Sequence, residues 1–123
     1  MIKKFCFLLL VFYLNANIAS AENNRFIDGI EDVPLMNGLV QKNEDTISFG
    51  NEEARFVEVY LISPKFGFKK IEKFYKESLP QLGWIYQGTE DDTIIFYREG
   101  EVLSIHKENN KPLKIRITVK NKV

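Results

Sequence analysis

The chain has 123 residues, with 17 basic and 17 acidic side chains and therefore a formal net charge of zero. Without a basic excess, the chain is not expected to bind the phosphate backbone of a nucleic acid. It has a single cysteine, Cys6, and a single histidine, His106, which leaves few resources for a metal site or a catalytic constellation.

The first 21 residues have the three-part layout of a secretory signal peptide. A short basic start precedes an unbroken apolar run from Phe5 to Leu14, and residues 19–21 form a small-x-small cleavage site. The run is about half as long as a helix that spans a membrane needs to be, which favours a cleaved leader. An uncleaved leader that anchors the chain in the inner membrane is the alternative. We expect a periplasmic or secreted protein with no permanent membrane span after cleavage.

Cleavage after Ala21 would leave 102 residues, the size of one compact domain. Because Cys6 leaves with the leader, the mature domain would be free of cysteine. That composition excludes disulfides, cysteine-ligated metals and thiol catalysis, so we expect the stability of the domain to come from packing.

Residues 22–44 show no lasting period of 2 or 3.6 and predict an irregular acidic N-terminal arm, followed by an α+β domain at residues 45–123. Leu35, Met36 and Leu39 have two interpretations. They are plugs against the core, or they form a segment that contacts a partner.

From residue 45 the pattern predicts a hairpin and then a helix. Residues 46–49 and 54–62 are expected strands around a turn at Gly50-Asn51. Apolar residues at spacings of three and four between Phe68 and Leu79 predict one amphipathic helix, with Glu72 and Lys76 spaced to pair on its polar side. Pro80 is expected to end this helix and Gly83 to permit a sharp reversal into Trp84.

After the helix, four strands with short turns predict an antiparallel meander over residues 84–87, 93–98, 102–107 and 113–119. The last strand alternates cleanly, with Leu113, Ile115, Ile117 and Val119 inward. The predicted fold class is therefore α+β. One amphipathic helix packs on an antiparallel sheet, in the order β-β-α-β-β-β-β and in two layers.

Three segments resemble a family of small uncharacterised exported bacterial proteins: residues 33–39, the Phe-Tyr-x3-Leu-Pro-x-Leu-Gly-Trp helix exit at 74–84, and residues 97–101. The resemblance covers about residues 30 to 118. The chain departs from the Pro-Leu-Met-x-Gly-Leu arm of that family at Asn37, where a proline is usual. The family brings no activity that could be carried over.

The candidate residues for chemistry have plain structural interpretations. His106 is two residues from Ser104 on one strand face, about 7 Å away, which is too far for a direct hydrogen bond. The acidic turns at residues 43–45 and 90–92 lack the alternating spacing of a calcium loop. We expect no cofactor, no metal and no enzymatic activity.

Two surfaces remain as candidates for binding. Lys69, Lys70, Lys73 and Lys76 form either a solvated helix face or a contact for anionic lipid or an acidic partner. Tyr75, Trp84 and Tyr86 form either a core plug or an aromatic shelf for a ligand.

The leading hypothesis is an exported, non-catalytic module that contacts an envelope protein or an anionic lipid surface through the arm or the lysine face. The alternative is a binder of a small apolar ligand between helix and sheet.

Overall fold

The computed structural model describes residues 25–51 and 53–122, so the predicted leader and its cleavage site lie outside the described residues. Within them the protein is a sheet-rich α+β fold with one α-helix and antiparallel strand pairings. The elements in chain order are β1 (Phe26–Ile27), β2 (Ile30–Pro34), β3 (Val40–Gln41), β4 (Ile47–Gly50), β5 (Arg55–Ser63), α1 (Phe68–Ser78), β6 (Ile85–Glu90), β7 (Thr93–Arg98), β8 (Glu101–Asn110) and β9 (Leu113–Asn121). Short 3-10 helices cover Asn43–Asp45 and Leu79–Leu82.

The main sheet has the spatial order β3-β5-β9-β8-β7-β6. Strands β3 and β4 pair with different halves of β5 along the edge that β9 leaves free. Strand β5 is therefore an interior strand, and it carries apolar residues on both faces. The hairpin β1–β2 forms a separate two-stranded sheet.

Alternation along the strands divides the main sheet into two faces. We call the face that contributes to the hydrophobic core the inner face and the opposite one the outer face. The register places Val57, Val119, Leu103 and Phe96 in one row across four strands of the inner face. The next inner row is Val59, Ile117, Ile105 and Ile94, and all eight side chains are buried.

Helix α1 contributes Ile71 and Tyr75 to the same core, and Leu79 continues this buried stripe. Pro80 does not release the chain from helical geometry, because Leu79 keeps φ −66° and ψ −35° and the chain continues as a 3-10 turn. The reversal occurs at Gly83, whose φ of 91° lies in the left-handed region that glycine tolerates. The α-helix thus ends at Ser78, and the chain does not leave helical geometry at Pro80 as predicted but reverses at Gly83, as predicted for that residue.

The N-terminal arm is not irregular, which corrects the sequence prediction. It forms β1, β2 and β3, and it buries a side chain at every third position: Ile27, Ile30, Val33, Met36 and Leu39. Very short strands, turns and a bulge between Phe26 and Ile27 shift the phase, so the buried positions follow a spacing of three that fits neither a strand nor a helix. The arm is part of the core.

Among the residues that the structure describes, no helix is long and apolar enough to cross a membrane.

Candidate functional site

The aromatic residues of the predicted ligand shelf are separated by their burial. Tyr75 and Trp84 have no exposed surface, while Tyr86 is 36% exposed. Burial raises the pKa of Tyr75, so its hydroxyl stays protonated and donates a hydrogen bond of 2.8 Å to the carbonyl of Pro34. Trp84 donates from Nε1 to the carbonyl of Asp32 at 3.4 Å. The arm thus covers both rings, and these contacts favour the core-plug interpretation.

The arm residues predicted as partner contacts are mostly unavailable. Met36 is 8% exposed and Leu39 is 5% exposed, and both belong to the hydrophobic core. Leu35 is half-buried against it. The burial of Met36 and Leu39 favours their interpretation as plugs against the core over that of a docking segment.

The four lysines of helix α1 are exposed, but they do not form an uninterrupted basic surface. Lys69, Lys73 and Lys76 surround a shallow depression together with Glu72 and Glu77. The predicted pair between Glu72 and Lys76 is not formed. Glu72 instead accepts a hydrogen bond of 2.7 Å from Thr89.

Two of these lysines lie over aromatic rings. The Nζ atom of Lys76 is 4.5 Å from the centroid of Tyr86, and that of Lys70 is 4.8 Å from the centroid of Phe66. Such contacts hold the lysine stems against the surface of the domain. The helix surface therefore has the character of a mixed, solvated face.

Four charged residues form a compact cluster at one end of the inner face, and we call them the charged clamp: Asp32, Arg55, Arg98 and Glu101. Arg55 donates to Glu101 through Nε at 2.6 Å and through Nη2 at 2.9 Å, and to Asp32 at 3.0 Å. Arg98 donates to the same oxygen of Asp32. Each carboxylate of the clamp is thus bound by a guanidinium group.

The clamp lies at strand ends, where the inward alternation continues beyond the apolar rows. Arg55 is two residues before Val57, and Glu101 is two residues before Leu103. Arg98 is two residues after Phe96, and its guanidinium group lies 4.1 Å from the ring centroid of Trp84. Sequence reasoning missed these residues, although extending the period of two by one step would have placed them on the inner face.

The electrostatics of the clamp fit a structural role. Burial alone would raise the pKa of Asp32, but hydrogen bonds from Arg98 and Arg55 and their positive charges outweigh it and hold this pKa below its ordinary value. The hydrogen bond to Glu101 is the main reason why the pKa of Arg55 is raised. A general acid or base needs a pKa close to the working pH, whereas the pKa of Asp32 is lowered away from neutral pH.

An open cleft of about 520 Å³ adjoins the clamp and is lined by Asn51, Glu53, Glu99, Gly100 and Asn121 as well as by three clamp residues. Asn121 accepts a hydrogen bond from the backbone of Arg55 and donates one to the carbonyl of Glu53. These contacts fix the strand ends. In the described part of the chain, no group of three or more acidic, histidine or cysteine side chains is placed to hold a metal ion.

His106 lies on the outer face and is 32% exposed. Its Nδ1 atom is 2.7 Å from the hydroxyl of Thr93, and Nε2 is 4.0 Å from Glu108, which Arg116 binds at 2.9 Å. The hydrogen-bonding neighbour of the imidazole is thus Thr93 on the adjacent strand. The arrangement is that of a polar cross-strand contact.

The outer face also carries a row of mainly apolar residues that crosses six strands, from β4 at one edge to β6 at the other. Five consecutive cross-strand pairs define it. We call this set the outer row, and its members in spatial order are Phe49, Phe56, Lys120, Val102, Tyr97 and Ile85. No single segment of the sequence reveals it, because the six residues come from six different strands.

The two ends of the outer row are the most exposed large apolar side chains of the described residues. Phe49 is 63% exposed and Ile85 is 65% exposed. Phe49 stacks on Phe56 with ring centroids 5.0 Å apart, and Lys122 places its Nζ atom 4.1 Å from the centroid of Tyr97. The row is therefore an open aromatic and aliphatic surface with lysines beside it.

Comparisons of the chain with models of protein families, with curated proteins and with solved structures find no match.

Proposed function

We propose that this chain is an exported bacterial protein that acts by binding a protein of the cell envelope, and that it docks through the outer row. The proposal takes the helix and the main sheet as two layers, in the order β-β-α-β-β-β-β from residue 45. In this arrangement the helix and the arm occupy the inner side of the sheet and leave its outer side to a partner.

The observation that carries the proposal is a continuous outer row whose two apolar ends are exposed and whose other apolar members are half-buried. Large apolar side chains that are contiguous on a surface lower the free energy of the protein when a partner covers them. Aromatic residues are enriched in the centres of protein interfaces, and the outer row holds Phe49, Phe56 and Tyr97. The row therefore has the composition of an interface core.

The charged clamp also favours contact over catalysis. Its carboxylates and guanidinium groups bind one another, and they join the arm to the ends of β5, β7 and β8. A binding module needs such a rigid scaffold, because ordering a surface only on binding reduces affinity. The alternative of an apolar ligand between helix and sheet requires the arm to leave Tyr75 and Trp84, and no contact in this region favours it.

The test of the docking surface uses site-specific photo-crosslinking in bacterial cells that express the full chain. A photoreactive phenylalanine analogue at Phe49 is expected to yield one discrete crosslinked partner. The same analogue at Lys73, on the exposed side of α1, serves as the matched control and is expected not to yield that product.

The crosslink must also depend on the row. With the analogue kept at Phe49, the substitution Ile85→Ser is expected to remove the product, while Lys69→Ser on the helix leaves it unchanged. A product formed equally from Lys73, or one that survives Ile85→Ser, would show that the outer row is not the docking surface.

Export is part of the same proposal and has its own test. Cell fractionation followed by N-terminal sequencing is expected to find the chain outside the cytoplasm and beginning at Glu22. Recovery of the intact leader from the membrane fraction would favour the anchored alternative instead.

A further inference from the structure

We infer that the partner presents an acidic amphipathic helix that lies along the outer row, across the strands. This inference rests on the proposed function and adds the chemistry of the partner. It follows from the dimensions of the row, its charge, and the surfaces of the chain that cannot occupy it.

The spacing of the row favours a helix over an extended segment. Neighbouring strands are about 4.8 Å apart, so six strands give a row of about 24 Å. Side chains on one face of a helix recur about every 5.4 Å along its axis, whereas those on one face of an extended strand recur about every 6.7 Å. The helical repeat is closer to the strand spacing, and about 16 helical residues cover the length.

The charge of the row favours an acidic occupant. Lys120 is its one ionisable member other than Tyr97, and Lys122 lies over the ring of Tyr97. No carboxylate belongs to the row, and among the described residues neither lysine has an ion-pair partner within 4.0 Å. Carboxylates of a bound helix would complement both lysines, and the two lysines would repel a basic partner.

The part of the chain that the structure describes does not supply a suitable occupant. Helix α1 exposes four lysines on its polar side, and their charge would oppose Lys120 and Lys122. Two outer rows packed against each other would bring four lysines together at the centre of the interface. Charge complementarity therefore favours a different protein over a second copy.

A membrane surface is also less favourable than a helix. Beyond the row, Glu58 lies on the same strand face two residues after Phe56 and pairs with Arg116 at 3.9 Å, so the positive charge at this level is already compensated. An anionic bilayer laid flat on the sheet would approach this carboxylate as well as the row. A helix about 10 Å wide can cover the row without doing so.

The experiment uses two synthetic helical peptides of 16 residues with the same leucine stripe. One carries glutamates beside the stripe, and the other carries lysines at those positions. Binding to the purified mature domain is measured by calorimetry, and the contacted residues are mapped by NMR chemical-shift changes. We expect the glutamate peptide to bind about fivefold more tightly or better, with shift changes centred on Val102 and Tyr97.

Charge reversal provides the decisive comparison. In the double variant Lys120→Glu and Lys122→Glu, the preference between the two peptides is expected to reverse. Lys69→Glu on the helix is the matched control and is expected to leave the preference unchanged. Unchanged preference in the double variant, or failure of both peptides to bind, would overturn the inference.

The remaining occupants have separate readouts. Phe49-dependent binding to vesicles that contain phosphatidylglycerol would point to a membrane, and concentration-dependent dimerisation lost in Phe49→Ser would point to a second copy. Either result overturns the acidic helix. The photo-crosslink at Phe49 tests the docking surface independently, so a positive crosslink with no peptide preference leaves the proposed function intact.

Discussion

Asp32 joins the arm to the sheet through its main chain and its side chain together. Its carbonyl accepts from Trp84, and its carboxylate accepts from Arg55 and Arg98. Because Arg98 also lies over the ring of Trp84, one residue of β2 organises a contact between the arm, the helix exit and two strand ends. Hydrogen bonds to charged groups of this kind are among the stronger ones in proteins.

The substitution Asp32→Asn is expected to lower the free energy of unfolding by about 1–3 kcal/mol, because it leaves two half-buried guanidinium groups with fewer acceptors. Asp28→Asn, at an exposed position beside the same hairpin turn, is the matched control and is expected to change it by less than about 0.5 kcal/mol. Urea denaturation at neutral pH measures both. Equal effects of the two substitutions would contradict the structural importance of the clamp.

The lowered pKa of Asp32 predicts the pH dependence of this contribution. A carboxyl group with a lower pKa in the folded state stabilises the fold above its unfolded pKa, which is about 3.9 for aspartate. The stabilisation is lost as the pH falls below about 4 and through the folded pKa. Urea midpoints at pH 7, 5 and 3 should therefore show the difference between wild type and Asp32→Asn shrinking only at the lowest pH.

The two ends of helix α1 differ in how well they are capped. Gly67 precedes its first residue, Phe68, and has no side chain to cap the helix. The first turn has no acidic residue but contains Lys69 and Lys70. It ends through the left-handed Gly83, where an added Cβ atom would lie 3.2 Å from the side chain of Arg98. One end has room for improvement, and the other requires glycine.

Two glycine substitutions are therefore expected to have opposite effects. Gly67→Asp adds a capping carboxylate at a position with no neighbour within 4 Å of a new Cβ atom, and should stabilise the protein by about 0.5–1 kcal/mol. Gly83→Ala forces an alanine into left-handed geometry and should destabilise it by about 1–2 kcal/mol. Thermal unfolding followed by circular dichroism distinguishes them, and a stabilising Gly83→Ala would refute the account of the helix exit.

The regular elements could be predicted from the sequence because their periodic patterns extend over many residues. The alternation of Leu113 to Val119 and the apolar stripe of the helix each repeat often enough to identify the element. The arm was missed because its buried residues recur every third position. The outer row was missed for a different reason, since its members become neighbours only when six strands are brought into register.

At the scale of the whole molecule, the arm is a structural part of the domain and not an appendage. Its five buried residues share the core with the main sheet and the helix. The hydroxyl of Tyr75 and the indole of Trp84 bind its carbonyls. Removing the arm would therefore disturb the core of the domain as well as any contact that the arm makes with a partner.

Deleting residues 25–42 is expected to unfold the domain or to leave it loosely packed. The deletion exposes a large apolar surface and removes Asp32, to which both clamp arginines donate. Each buried aliphatic side chain contributes about 1.5–3 kcal/mol. Loss of the near-ultraviolet circular dichroism signal of Trp84 and increased dye binding measure this outcome. A deletion variant that retains sharp tertiary signals and cooperative unfolding would show that the arm is dispensable.

The outer row lies directly behind a row of the core. Four of its members each adjoin one core residue in the sequence: Phe56 adjoins Val57, Lys120 adjoins Val119, Val102 adjoins Leu103 and Tyr97 adjoins Phe96. A core residue and a residue of the proposed docking surface are thus separated by a single peptide bond. In a saturation mutagenesis scan that scores cellular abundance and partner recognition separately, abundance would fall at alternate positions along these strands. Loss of partner recognition at normal abundance would occur at one position in each strand, the outer-row residue. This position is next to a core residue at which substitutions lower abundance.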